Sequence, residues 1–288
     1  MGKKYIDPLS DGGFKIFFGK VGKSEGFLID FLNGLFVDDP DLGGITSVKY
    51  LNNEVAPDRI DDKQIRYDIQ CTTSTGHKYV VEMQRQTRPH FEKRAAYYIA
   101  KAMADQASDK VGDQEWRYKD LQPVVGVFVL EDHLPGKKKK PVLDYKYREK
   151  EDHNDTLNLS RQVFIQLEYF DRLEEECVNR KDQWLFILKN LESMEYMPFS
   201  QTKDQIFKRL DHYAQIANLS NPERVEYDRL LKFSRDYYSD MDDYIEEGRA
   251  EGRAEAKSEV ALKMKAMGMD KDTISNLTGL TSEEIERL

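Results

Sequence analysis

The sequence predicts an α/β fold in which a mixed central sheet is followed by a helical C-terminal region. Three strand-like runs follow one another between two helical segments, and the apolar run 124–130 is typical of a strand in the centre of a sheet. Beyond residue 170 the apolar residues recur with a helical period. The 288 residues, 39% of them hydrophobic, suffice for one large domain or two modest ones.

The first elements are predicted from spacing and from turn residues. Ser24 is expected to cap a helix that ends at Leu35, because its apolar residues recur at three- and four-residue spacing. Strands are expected over 45–51, 65–72 and 78–84, and a helix over about 91–106 after Pro89.

The later elements complete the sheet and then turn helical. After the strand 124–130, further strands are expected over 142–147 and 163–167. The predicted helices are 172–191 around Trp184, Leu185 and Leu188, then 203–217, 223–238, the charged segment 244–265 and two short helices. Thr281 to Glu284 form a capping box that opens the last helix.

These elements suggest three regions: a core over 1–170, a helical region packed on it over 171–243, and a possible assembly element over 244–288. The last region contains the repeat Glu-Gly-Arg-Ala at 247–254, which lines up Ala250 and Ala254. Two glycines inside a helix cost about 1 kcal/mol each relative to alanine. We therefore expect this helix to pack on a partner, most simply in a dimer of the chain.

Composition excludes several classes of protein. The longest apolar run is far shorter than the roughly 18 residues of a membrane helix, and the start of the sequence lacks an apolar signal core. With two cysteines and no disulfide framework, a reduced cytoplasm is expected. The net charge of −9 is unlike that of a coat-like nucleic-acid binder, although residues 1–150 carry 25 basic against 23 acidic residues.

The segment 66–84 carries the candidate chemistry. Ser74-Thr75-Gly76 fits a three-residue hairpin loop with a left-handed glycine, which sets Asp68 directly opposite Glu82. Facing carboxylates repel each other. A divalent metal, a raised pKa on one acid or a cation such as Arg66 would each offset that repulsion.

A magnesium site is one interpretation of this pair of acids. Asp68, Glu82 and the backbone carbonyl of Met83 offer the oxygen ligands that Mg²⁺ takes together with water and phosphate. Gln84, on the same face, is a candidate for orienting an attacking water. The competing interpretation is a surface ion pair of Arg66 with one of the acids.

The order of elements and motifs resembles the PD-(D/E)XK nuclease superfamily, in particular its nuclease family transposases, the Rpn-type recombination-promoting nucleases. The matching motifs, in chain order, are Asp11 with Phe14-Lys15, Asp68, Glu82-Met83-Gln84, Arg94 with Tyr97-Tyr98, Phe164 to Glu168, Glu247 to Arg249, and Leu277 to Ile285. Glutamine at position 84 stands where most of the superfamily has lysine, and it brings hydrogen bonds without charge.

The resemblance implies a restriction-endonuclease-like core and metal-dependent cleavage of DNA, associated with transposition or recombination in a bacterial cytoplasm. It implies Asp68, Glu82, Gln84 and Asp11 as catalytic residues and Mg²⁺, or Mn²⁺, as the cofactor. Lys15, Gln86, Arg94 and Lys101 are candidates for positioning DNA phosphates. Asp11 is alternatively a turn residue before Gly12-Gly13, and the basic side chains are alternatively solvated surface.

Two further hypotheses concern the chain as a whole. Because Gln84 lacks the lysine charge, a catalytically degenerate nuclease fold that binds DNA or assembles with proteins is the alternative function. The last two helices could imitate a helix-turn-helix, but their acidic residues favour packing or assembly. Lys137 to Lys140 are expected to form a solvated loop, and the histidines lack the spacing of a zinc site.

Overall fold

The computed structural model describes most of the chain. The described residues are 3–51, 54–55, 65–107, 116–153, 156–201 and 205–288. They divide into two compact units, Met1–Leu231 and Lys232–Leu288. The three predicted regions with limits at 170 and 243 stay a prediction.

The first unit is built on a mixed six-stranded sheet, as predicted. The described strands are β1 Val48–Tyr50, β2 Glu54–Val55, β3 Ile65–Arg66, β4 Ile69–Thr73, β5 Lys78–Gln84, β6 Val124–Leu130, β7 Val142–Arg148 and β8 Thr156–Gln166. The sheet order is β1-β4-β5-β6-β8-β7, and β2 and β3 form a separate antiparallel pair. Strands β5, β6 and β8 are parallel at the centre, and antiparallel strands flank them.

The hairpin of β4 and β5 has the predicted register. Ile69 pairs with Val81 and Thr72 with Lys78, and Gly76 has a φ of 82° in the loop. Glycine adopts this left-handed conformation without steric cost. The strand expected over 65–72 is nevertheless interrupted at Tyr67 and Asp68, which lie between β3 and β4.

The described residues also form α-helices. They are α1 Asp11–Phe18, α2 Glu25–Leu35, α3 Phe91–Ala104, α4 Arg180–Asn190, α5 Gln205–Ala214, α6 Asn221–Ala266, α7 Lys271–Thr278 and α8 Ser282–Arg287. One face of the sheet packs on α1, α2, α4 and α5 around Trp184, Leu185 and Leu188, which are buried. The other face packs on α3, through Val80, Phe128 and Phe164 against Phe91.

A glycine lets α3 approach the centre of the sheet. A Cβ atom added at Gly126 of β6 would lie 2.6 Å from Cδ1 of Ile99, closer than atoms pack in proteins. The absence of a side chain there therefore sets the distance between α3 and the sheet. Because side chains alternate along a strand, Glu82 and Gln84 share the α3 face of β5 with the buried Val80.

Several element boundaries differ from the prediction. Strand β1 begins at Val48 instead of residue 45, β8 begins at Thr156 instead of 163, and α4 begins at Arg180 instead of 172. Residues 203 and 204 of the helix predicted over 203–217 lie outside the described residues. The segments 223–238 and 244–265 belong to one continuous helix, α6. The residues between them, 239–243, include three aspartates, which are weak helix formers, so local propensity does not explain this continuity.

The predicted cap of α2 is wrong in its mechanism. Ser24 precedes the helix, but its side chain forms no capping hydrogen bond. Instead, Ser24 Oγ accepts from the backbone N–H of Lys20 at 2.7 Å and lies 3.1 Å from the Lys20 carbonyl oxygen. The serine therefore closes the turn that leads into the helix.

The second unit has a small core of its own. Ala261, Ile274 and Ile285 are buried together, next to Met264 and Leu280. The predicted capping box of α8 is present: Thr281 accepts from the Glu284 N–H, and the Glu284 side chain accepts from the Thr281 N–H. Gly248 and Gly252 of α6 have open space around them.

Candidate active site

The β4–β5 hairpin brings Asp68 and Glu82 together through a reciprocal pair of hydrogen bonds. The backbone N–H of Asp68 donates to Glu82 Oε1 at 3.0 Å, and the backbone N–H of Met83 donates to Asp68 Oδ2 at 2.9 Å. Each carboxylate thus accepts a hydrogen bond from a backbone N–H next to or at the other acid's position: Glu82 from Asp68 itself, and Asp68 from Met83. The interruption at Asp68 frees its N–H from the sheet, which makes the first of these bonds available.

Burial sets the protonation of both acids. The side chain of Glu82 is 4% exposed, and Asp68 is partly buried. Loss of solvent raises the pKa of Asp68 from 3.8 to about 6, with the charge of Asp11 adding to the rise, against the Met83 N–H, Lys15 and Arg94. Loss of solvent and the charge of Asp68 raise the pKa of Glu82 well above its usual value. The pair therefore strongly favours a compensating positive charge.

Gln84 is held at both ends of its amide. Its Nε2 donates to the Met83 carbonyl oxygen at 2.8 Å, and its Oε1 accepts from Nη2 of Arg94. The side chain therefore has a defined orientation, with the amide oxygen toward Arg94 and the amide nitrogen toward the carbonyl beside the acids. The Met83 carbonyl oxygen thus accepts a hydrogen bond from Gln84. If this oxygen also binds a metal ion, as predicted, the ion and the Gln84 amide must share it.

Arg94 lies on α3 between two aromatic rings. Its guanidinium carbon is 4.8 Å from the centre of the Phe91 ring and 5.9 Å from that of Tyr98. Cations are attracted to the faces of aromatic rings, and Phe91 and Tyr98 lie one turn away on either side of Arg94. The helix thus holds the cation close enough to lower the pKa of both acids.

Helix α1 contributes Asp11 and Lys15 from positions one turn apart. The charges of both residues act on Asp68, and that of Lys15 acts on Glu82 as well. The interpretation of Asp11 as a turn residue is wrong: Ser10 is the N-cap, and Asp11 is the first residue of the helix. Glycine allows a close approach here, since a Cβ atom at Gly13 would lie 1.7 Å from the Asp7 carbonyl oxygen.

The donor set fits a hard divalent cation. No group of three or more histidine, cysteine or acidic side chains is placed to hold a metal ion in the described part of the chain. Two carboxylates and a carbonyl nevertheless match the protein share of a magnesium site, where water and phosphate supply the remaining ligands. The raised pKa values show that two ionised acids are unfavourable at this distance, and a bound cation would stabilise their ionised forms.

The remaining predicted site residues lie in different surroundings. Gln86 is half-buried in the segment between β5 and α3. Lys101, one turn before the end of α3, forms an ion pair with Asp105 at 2.8 Å. Arg66 is exposed at the end of β3. The roles predicted for these three side chains stay predictions.

Sequence reasoning missed one side chain of the site, Tyr98, as a neighbour of the acids. The charges of Glu82 and Asp68 contribute to the raised pKa of its hydroxyl, after burial, and its backbone carbonyl accepts from the Tyr67 hydroxyl at 3.3 Å. The spacing of Tyr98 from Arg94, one helical turn, was a signal for this placement. Lys137 to Lys140 are exposed, as predicted.

Two family models match the chain. Residues 8–244 match the model described as PD-(D/E)XK nuclease family transposase. Residues 254–288 match the model described as Rpn/YhgA-like nuclease family, C-terminal HTH domain. The second match goes against the sequence-based preference for packing or assembly helices over a helix-turn-helix, which rested on their acidic residues alone.

Other comparisons add no relative. No curated protein and no solved structure matches the chain. Within the described residues, no helix combines the length and the apolar character that crossing a membrane requires. Because the first family match spans most of the sequence and includes both acids, the chain belongs to the PD-(D/E)XK nuclease family transposases, and it carries the C-terminal HTH domain of the Rpn/YhgA-like nucleases.

Proposed function

We propose that this protein is a divalent-metal-dependent DNA endonuclease with Asp68 and Glu82 at its active centre. The observation that carries the proposal is the reciprocal hydrogen bonding of Asp68 and Glu82 across the hairpin. A buried and a partly buried acid fixed in this way are costly unless a cation or a proton joins them. Membership of a nuclease family favours the cation.

In the proposed reaction, Asp68, Glu82 and the Met83 carbonyl hold Mg²⁺, with Mn²⁺ as the alternative ion. When bound, such an ion lowers the pKa of a bound water and neutralises charge on the phosphate. The oxygen of water forms a bond to phosphorus, the bond from phosphorus to one sugar oxygen breaks, and that oxygen takes up a proton. One product end therefore keeps the phosphate and the other a hydroxyl.

The protein's own side chains would position the DNA. Lys15 and Arg94 are the basic groups whose charges act on both acids, which supports a role for them near the scissile phosphate. Gln86 and Lys101 are proposed to contact phosphates farther along the strand, and Asp11 to assist as a third acid. Contacts of this kind bind DNA without reading its sequence. The C-terminal HTH domain supports DNA as the partner.

Incubating the purified full-length protein with plasmid and a panel of divalent ions tests the proposal. We expect cleavage with Mg²⁺ or Mn²⁺, none in EDTA, and none from Asp68→Ala or Glu82→Ala. Asp228→Ala serves as the matched control, because Asp228 is exposed and, within the described residues, its side chain forms an ion pair with Arg224 alone. Equal cleavage by the wild-type protein and the two site variants would exclude this site.

The alternative function is a degenerate nuclease fold that binds DNA or assembles without cutting. Gln84 favours this alternative, because its amide is uncharged and already forms hydrogen bonds with the Met83 carbonyl and with Arg94. A titration of Mg²⁺ or Mn²⁺ against thermal stability separates the two proposals. A rise in melting temperature that disappears in Glu82→Ala supports the enzyme, and no rise supports the module.

Self-association through the C-terminal helices is a further proposal. Ala250 and Ala254 of α6 are exposed. Gly248 and Gly252, which alternate with them along the helix, are exposed as well. An exposed helix with interior glycines lacks the packing that normally stabilises it. A second copy of the helix would supply that packing.

A further inference from the structure

Gln84 poses a chemical question for the proposed reaction. A lysine at this position would place N–H donors and a positive charge beside the acids, whereas an isolated glutamine amide supplies one donor end and one acceptor end without net charge. The hydrogen bonds of Gln84 show how the chain resolves this difference. They determine which end of the amide faces the acids.

Arg94 fixes that orientation. A guanidinium only donates hydrogen bonds, so the atom of Gln84 that meets Arg94 Nη2 must be the amide oxygen. The amide nitrogen then points toward the Met83 carbonyl, 2.8 Å away. Nε2 carries two hydrogens and the Met83 carbonyl uses one of them. Among the described residues Gln84 has no further hydrogen bond, so the second hydrogen can meet an oxygen of water or phosphate.

Arg94 also polarises the amide. A hydrogen bond from a cation to the amide oxygen draws electron density from the nitrogen and strengthens its N–H groups as donors. Such polarisation is effective only when the cation stays in place. The rings of Phe91 and Tyr98 hold the guanidinium, and its Nε is buried without a hydrogen-bond partner among the described residues. Only the Nη end of the side chain is bonded within the site.

Lys15 is the other cation whose charge reaches both acids. Of the two, Arg94 has the larger effect on the pKa of Glu82 and Lys15 the larger effect on that of Asp68. Lys15 forms no hydrogen bond to Gln84 in the described structure. Arg94 is therefore the cation that acts on the glutamine.

We propose that Arg94 is a positioning residue that makes Gln84 replace the missing lysine: it fixes and polarises the Gln84 amide so that Nε2–H donates to a substrate oxygen at the acids. The inference rests on the proposed nuclease function and deepens it. Gln84 is then the catalytic residue that touches the substrate. Arg94 acts through it and adds its charge to the site.

The test compares Arg94→Gln, the double variant Arg94→Gln/Gln84→Lys, and Lys93→Gln as matched control. Lys93 neighbours Arg94 on α3 and is exposed, so its variant removes one charge from the same helix. We expect Arg94→Gln to lower kcat by about 10- to 100-fold, the usual range for residues that orient a ligand or catalytic group, with little change in KM for DNA, because loss of uniform binding would raise KM and leave kcat unchanged. Lysine at 84 should restore part of kcat in the double variant.

A readout independent of cleavage separates charge from structural damage. Removing the positive charge of Arg94 makes the site more negative, so Arg94→Gln should reach half of its Mg²⁺-induced thermal shift at a lower ion concentration than the wild-type protein. A local collapse of the site would raise that concentration. Such a rise would contradict the inference.

The outcomes distinguish this inference from the proposed function. If the wild-type protein cuts DNA and Arg94→Gln cuts as fast, or if lysine at 84 restores nothing, the inference is wrong and the nuclease proposal stands. If the wild-type protein fails to cut DNA with every divalent ion tested, the nuclease proposal is wrong. In that case a lower Mg²⁺ midpoint in Arg94→Gln still supports the placement of the charge, and an unchanged or raised midpoint overturns it.

Discussion

Replacing Asp68 with asparagine should stabilise the metal-free protein while abolishing its proposed activity. The pKa of Asp68 rises from 3.8 to about 6 on folding, chiefly because of burial. One pKa unit corresponds to about 1.4 kcal/mol, so ionised Asp68 costs the fold up to about 3 kcal/mol. Asparagine removes this cost and keeps an oxygen that accepts from the Met83 N–H.

The effect should depend on pH in a defined direction. The folded protein binds this proton more tightly than the unfolded chain, so the free energy of unfolding falls as pH rises between about 4 and 6. The Asp68→Asn variant has no carboxyl group at this position, so its free energy of unfolding does not fall in this way. Its advantage should therefore be about 3 kcal/mol at pH 8 and shrink to about 1 kcal/mol at pH 4.5. Saturating Mg²⁺ should stabilise only the wild-type protein, by about 2.7 kcal/mol at 100 times Kd.

Urea unfolding in EDTA at the two pH values measures this directly. Asp228→Asn, at an exposed ion pair, should stay within about 0.5 kcal/mol of the wild-type protein. The reasoning is refuted if Asp68→Asn is less stable than the wild-type protein at pH 8 without metal. It is also refuted if its advantage is the same at both pH values.

Three further predictions concern the rest of the chain. Gly13→Ala should lower the free energy of unfolding in urea by about 1–3 kcal/mol, because its Cβ would lie 1.7 Å from the Asp7 carbonyl oxygen. Gly12→Ala should be neutral or stabilising, because the nearest atom to its Cβ would lie 3.4 Å away. Equal effects of the two variants would contradict this. Cys71 is buried and its thiol pKa is raised to about 12, so a thiol reagent at pH 8 should modify it only after unfolding, and rapid labelling of the native protein would contradict the burial. Replacing Ala250 and Ala254 with glutamate should convert the proposed dimer to a monomer in light scattering; an unchanged mass would count against assembly through α6.

The geometry of the acids was predictable because it depends on local rules. A glycine in a three-residue loop sets the register, and alternation along two strands places Asp68 opposite Glu82. The structure has this register at every described pair of the hairpin. The extent of burial of Glu82 was not predictable, because it depends on how closely α3 packs on the sheet at Gly126.

The placement of the charged groups around the acids was only partly predictable. Arg94 was expected on the helix after the hairpin, but its bond to Gln84 depends on the rotation and depth of that helix. Asp11 was read as a turn residue or a third acid, and helix α1 could not be recognised because two glycines follow Asp11. The close approach of Gly13 to the Asp7 carbonyl oxygen depends on the turn at Ser10 that leads into the helix.

The sequence alone determined the order of the sheet strands along the chain, the register of the hairpin and the pair of acids that this register brings together, because strand alternation and turn glycines act over a few residues. Tertiary structure decided which cations reach those acids, how far burial raises their pKa values, and which end of the Gln84 amide faces them. These properties depend on contacts between residues far apart in the chain. Local patterns carry no information about such distances.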